Sequence, residues 1–149
     1  IIKGIATKED AILAVEHGVE VIYVSNHGGR QLDFGLGGLK VLPEIIDAVG
    51  KKATVFFDGG IMRGTDVVKA LSLGADVVGI GRLQGLAAAA GGSKAIYRML
   101  ELLELEIITC LRLLGVNDIV ELNSTFLTKD VSLGSLDVLS AFPLINEGY

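Results

Sequence analysis

The sequence has no tryptophan, one cysteine, two prolines and two histidines in 149 residues, and each scarcity removes a class of function. Cys110 has no second cysteine to pair with, so no internal disulfide forms and a reducing compartment is the simpler setting. Two distant histidines and one cysteine do not assemble a metal site. Positive charge is also short: the net charge is −5 and the isoelectric point about 5.0, which leaves no basic surface for nucleic acid or an anionic membrane. No apolar run is clean enough to span a bilayer; the most apolar stretch, "GADVVGIGRLQGLAAAAGG", is interrupted by Arg82 and Gln84. Walker loops and nucleophile elbows are missing too. No signal peptide is recognisable and the ending "INEGY" is not a peroxisomal tripeptide, so the expected location is cytoplasmic. The opening "IIKGIAT" is an apolar run without an initiator methionine. It reads as the interior of a longer protein, or as one piece of a nicked polypeptide.

What the sequence has in quantity is apolar residues and glycine. Half of the chain is hydrophobic, mean hydropathy is +0.57, and there are 20 glycines. Apolar strand candidates alternate with helix candidates along its length. "IIKGI" is the first strand; Thr7 caps a helix that runs to about His17 and stops at Gly18. "VEVIYVS" is the second strand, followed by a glycine-rich loop over 28–38 and a helix over 39–49, with Pro43 in its first turn or bending it. "ATVFFD" is the third strand, after which Thr65 caps "DVVKALSL". "ADVVGIG" is the fourth; a short helix "LQGLAAAA" and a long one from Ser93 to about Leu114 follow, closed by Gly115. Asn117 is expected to cap a short helix "DIVEL", ahead of an extended arm that packs on the body or on another subunit. Four βα units in succession predict a parallel sheet with right-handed crossovers, either an open doubly wound sheet or half of a (β/α)8 barrel. In both, chemistry collects at the C-terminal strand ends. Lys3, His27, Arg30, Asp58, Arg63 and Arg82 all fall there.

Two of these strand ends carry the marks of an anion site. In "FFDGGIMRG" and "GIGRLQG", glycines let backbone N–H groups approach an anion, arginine offers a fork of donors, and a helix N-terminus adds partial positive charge. The alternative is that Gly59, Gly60 and Gly81 are ordinary loop glycines. Lys3, near the end of an apolar strand, is either a chain-end accident or a charge aimed into the site. His17, at the exposed end of a helix, is structural. His27 differs: it ends a strand, glycines follow it, and Arg30 is one short turn away. That arrangement suits a general base beside a carboxylate-binding fork.

The stretch "SNHGGRQLD" resembles the active-site signature of the FMN-dependent L-2-hydroxy acid oxidases and dehydrogenases, a family that includes glycolate oxidase, lactate oxidase, mandelate dehydrogenase and flavocytochrome b2. The order "KGI", "SNHGGRQLD", "DGGIMRGTDVVKAL", "GIGR" is similar to the C-terminal half of that family's barrel over roughly residues 1–115. The resemblance implies a TIM (β/α)8 barrel, of which this chain supplies about the last four βα units, with residues 116–149 as a C-terminal helix and arm. It implies FMN as cofactor and a small L-2-hydroxy acid as substrate, oxidised to the 2-keto acid, with oxygen or another acceptor reoxidising the flavin. His27 would be the base and Arg30 the carboxylate clamp. Lys3 would lie against the flavin ring and Ser25 would contact it, while Asp58, Gly59, Gly60, Arg63, Gly81 and Arg82 would hold the ribityl chain and phosphate.

Two departures from the family pattern stand out: Met62 replaces the first of a usual arginine pair, and Leu83 stands where proline is common. The resemblance further implies that the N-terminal half of the barrel supplies the remaining site residues, including the aspartate that orients the histidine. A homo-oligomer is expected, the tetramer being typical of the family. A non-redox phosphate-binding barrel would explain the glycine loops but gives the His27–Arg30 pair no task; a non-catalytic half-barrel would explain the length.

Overall fold

A computed structural model describes residues 1–32 and 34–128. Within them the alternation of strands and helices is realised as β1 (Ile2–Ile5), α1 (Lys8–Glu16), β2 (Val21–Val24), α2 (Gly38–Val49), β3 (Thr54–Asp58), α3 (Gly64–Ser72), β4 (Val77–Gly79) and α4 (Arg82–Leu114). The four strands form one parallel sheet in the order β1-β2-β3-β4. This is the arrangement that successive right-handed βα crossovers produce.

Strand alternation then sorts the side chains. Ile22, Val24, Val55 and Phe57 point to the helical side and are buried against Ala11, Leu42, Ile45 and Val49. Each such burial stabilises the fold by roughly 1.5–3 kcal/mol for a full-sized aliphatic or aromatic side chain. The opposite face carries Lys3, Tyr23, Phe56 and Val77, which share one register row across the sheet. Tyr23 and Phe56 pack edge to face there, ring centroids 5.6 Å apart. β1 is irregular: its pairing with β2 slips between Lys3 and Ile5, where Gly4 is the extra residue.

Several helix ends follow local chemistry. The Thr7 hydroxyl accepts the Asp10 N–H and starts α1. Gly50 and Gly115 end α2 and α4 with positive φ. Other expectations are corrected. Pro43 lies inside α2, past its first turn. The first turn of α3 is satisfied without Thr65: the Asp66 carboxylate accepts the N–H groups of Met62 and Arg63, and Glu106 accepts that of Gly64. The break between the short and long helices after β4, by contrast, falls where expected: α4 is interrupted at Gly91 and Gly92, whose backbone is non-helical. Asp118, not Asn117, caps a single 3-10 turn at Ile119–Glu121. The greater part of the expected C-terminal arm, 129–149, lies outside the described residues.

α3 packs on α4 through a glycine contact. A Cβ built on Gly64 would sit 2.7 Å from the Ile107 nitrogen and 2.7 Å from the Leu103 oxygen, so the fault cannot be relieved by a side-chain rotation. Gly64→Ala should therefore lower stability by about 1–3 kcal/mol, the usual range for overpacking. Urea unfolding checks this; an unchanged midpoint would mean that α4 moves aside freely.

Candidate active site

The C-terminal ends of the four strands open into one cleft of about 830 Å³. Lys3, His27, Arg30, Gln31, Asp58, Gly59, Gly60, Gly81 and Arg82 line it, together with Met62, Gly79 and Leu86.

His27 reaches the cleft through unusual backbone. Its φ is +51°, and Gly28 and Gly29 follow with φ of +70° and +72°. Histidine tolerates this left-handed region better than most non-glycine residues, and the glycines adopt it freely. Asn26 holds the turn, its side-chain oxygen accepting the Gly28 N–H at 3.0 Å. The His27 N–H donates to the Ser25 hydroxyl at 3.1 Å. The imidazole itself lies over Gly4: a Cβ there would come within 2.7 Å of the ring Cε1. The bulge glycine of β1 thus makes the space that the histidine ring occupies.

Beneath the histidine is a charge cluster. Lys3 Nζ is 2.7 Å from Asp58 Oδ2, donates to Ser25 Oγ at 2.7 Å, and stands 4.6 Å from the centre of the Tyr23 ring. Burial works to raise the Asp58 carboxyl, but hydrogen bonds from Lys3 and Ser25, the Lys3 charge and the Tyr23 hydroxyl outweigh it and hold the group below the usual carboxylate range. Burial, followed by the Asp58 charge and the hydrogen bond to it, raises the Tyr23 phenol. Asp58 is therefore ionised near neutral pH, and its pairing contributes stability that fades only as the pH falls through its lowered value.

The other end of the cleft has the makings of an anion cradle. Gly59 and Gly60 have φ of +120° and +74°, and Gly81 precedes α4. At all three, the space a Cβ would occupy is open. Arg82, the first residue of α4, faces the same space.

Two expected residues are placed elsewhere. Ser25 is buried and does not line the cleft; its hydroxyl supports Lys3 and the backbone of His27 from below. Arg63 turns away onto α4, where Nε donates to Glu106 Oε1 at 2.8 Å and a terminal nitrogen lies 2.6 Å from the same oxygen. The hydrogen bond from Arg63, then that from the Gly64 N–H, lowers the Glu106 carboxyl. The side chains that line the cleft from this loop are Ile61 and Met62. No motif of the sequence gives Gly4 or Tyr23 a role; an aromatic residue on the sheet face opposite the helices is the available signal for Tyr23.

Residues 1–129 match the FMN-dependent dehydrogenase family. An L-lactate oxidase from a Nostoc species is 46% identical over 129 residues, covering 85% of this chain and 35% of that protein. Mouse 2-hydroxyacid oxidase 1 is 44% identical, over 87% of this chain and 35% of its own length. Among solved structures, a mandelate oxidase bound to benzoyl-formic acid superimposes with a TM-score of 0.78 at 44% identity, covering 80% of this chain and 36% of that one. A flavocytochrome b2 with sulfite bound gives 0.83 at 41% identity, over 99% and 40%. The chain spans about a third of the length of these curated relatives. The four βα units are thus part of a (β/α)8 barrel, and the chain belongs to the FMN-dependent dehydrogenase family.

Proposed function

We propose that this chain is the flavin-gripping and substrate-gripping part of an FMN-dependent enzyme that oxidises an L-2-hydroxy acid to the 2-keto acid. The observation that carries the reading is that one cleft presents His27, Arg30, Lys3 and a glycine–arginine anion cradle together. The open glycine positions Gly59, Gly60 and Gly81 with Arg82 fit a phosphate. Lys3 and Asp58 offer a donor and an acceptor for the polar edges and hydroxyls between phosphate and ring.

Bound FMN supplies a two-electron acceptor. The hydroxy acid gives up two electrons and two protons in becoming the keto acid; the His27 imidazole would receive one of those protons, and the other would leave with the electron pair to the bound flavin. Arg30 holds the carboxylate by two parallel donors, which fixes the reacting carbon in one pose. Lys3 keeps positive charge at the floor of the cleft and favours an anionic product of reduction. Ser25 positions both Lys3 and His27. Oxygen or another acceptor takes the electrons onward. The remaining strands and site residues come from the N-terminal half of the same barrel, and the whole protein assembles as a homo-oligomer, a tetramer in the family pattern, in the cytoplasm.

The test is the absorbance of the purified full protein. A bound flavin that bleaches without oxygen on addition of lactate, glycolate or mandelate is the expected result. A flavin that stays oxidised with every 2-hydroxy acid offered would overturn the substrate class.

A further inference from the structure

Tyr23 touches three cleft residues without lining the cleft itself. It sits on β2, and its ring lies under Lys3 Nζ at 4.6 Å while packing edge to face on Phe56. Its hydroxyl extends across β3 into the space above Gly79 on β4, beside the Asp58 side chain. A Cβ on Gly79 would collide with that hydroxyl, and would also lie 3.3 Å from the Tyr23 ring carbon Cζ and 3.3 Å from Asp58 Cβ. The large residue on β2 and the absent side chain on β4 are therefore complementary. One side chain lies against both members of the ion pair: the ring face meets the cation, and the hydroxyl end shares the space above Gly79 with the Asp58 side chain.

We propose that Tyr23 is a positioning residue for the flavin site, fixing the Lys3–Asp58 pair at the cleft floor, and that Gly79 is the space that permits it. The inference rests on the flavin reading above and adds to it a residue that never meets the cofactor. Lys3 and Asp58 can adopt other rotamers, and long charged side chains lose much rotamer freedom when held. With Tyr23 in place, Lys3 is held on three sides, by Asp58, Ser25 and the ring. Without the hydroxyl, the Asp58 side chain loses a neighbouring polar group and its charge falls more fully on Lys3. The floor of the cleft becomes less positive, and an anionic reduced flavin is less favoured.

The experiment combines Tyr23→Phe, Gly79→Ala and the double variant in the full flavin-loaded protein, reading the FMN dissociation constant and the midpoint potential of the bound flavin. Tyr23→Phe keeps the ring under Lys3 and removes only the hydroxyl. It should weaken FMN by about two- to tenfold, the range of a single polar contact, and move the potential to more negative values. Gly79→Ala should do at least as much in the Tyr23 protein. Added to Tyr23→Phe it should cost clearly less, because the hydroxyl it would collide with is gone. Strictly additive losses, or an unchanged potential in Tyr23→Phe, would overturn the positioning role while leaving the flavin reading in place. If the unsubstituted protein holds no FMN, the flavin reading fails and this inference falls with it.

Discussion

His27→Gln should retain bound flavin and lose hydroxy-acid-driven reduction by about 100- to 10,000-fold, the range a positioned general base contributes. Glutamine keeps a polar side chain of similar reach but cannot accept and hold the proton. The structure separates this role from cofactor retention. His27 approaches the cleft from the β2 turn, on a backbone held at φ +51°, whereas the anion cradle is built from the loops after β3 and β4. Its substitution leaves Lys3, Asp58, Gly81 and Arg82 untouched, so the flavin absorbance should persist while its bleaching by substrate slows. Stopped-flow reduction under anaerobic conditions is the measurement. Bleaching at the unsubstituted rate would remove His27 from the mechanism. Loss of the flavin itself would instead show that the imidazole, packed over Gly4, is a structural prop of β1.

What the sequence discloses and what it hides divide along a physical line. Features controlled by neighbours in the chain were legible: Thr7 as a cap for Asp10, glycines as helix ends, apolar runs as buried strands, and the break between helices at Gly91 and Gly92. The convergence of Lys3, His27, Asp58 and Arg82 also followed from topology, because a parallel sheet brings all C-terminal strand ends to one side. Features decided by distant partners were not legible. Arg63 follows a double glycine after a strand, which by itself reads as a phosphate ligand, yet its guanidinium is claimed by Glu106, 43 residues away. The same carboxylate takes the Gly64 N–H, and α3 starts there, one residue before Thr65, the expected cap. In sequence Tyr23 is one residue of an apolar strand, and only the register places it between Lys3 and Phe56, with its hydroxyl over Gly79.

That reassignment of Arg63 yields a sharp expected result at the phosphate end. Arg82 is the cation aimed at the cradle from the loops after β3 and β4, while the neighbouring loop presents Met62. Arg82→Gln should weaken FMN by about ten- to a hundredfold, as expected for losing a charge-assisted hydrogen bond to phosphate. Riboflavin, which lacks the phosphate, should bind this variant nearly as it binds the unsubstituted protein. Arg63→Met should leave the FMN dissociation constant within about twofold, since removing one charge that faces away acts only through screened distance; its effect should appear in unfolding, through loss of the contact between α3 and α4. Met62→Arg completes the set by adding a guanidinium where the thioether now faces the cleft. It should tighten FMN by up to about tenfold, with little change for riboflavin, and steepen the salt dependence of binding. Isothermal titration of the apoprotein with both flavins at two salt concentrations distinguishes these cases. If Arg63→Met weakens FMN as severely as Arg82→Gln, then the guanidinium leaves Glu106 when cofactor arrives, and the phosphate is held from both loops after all.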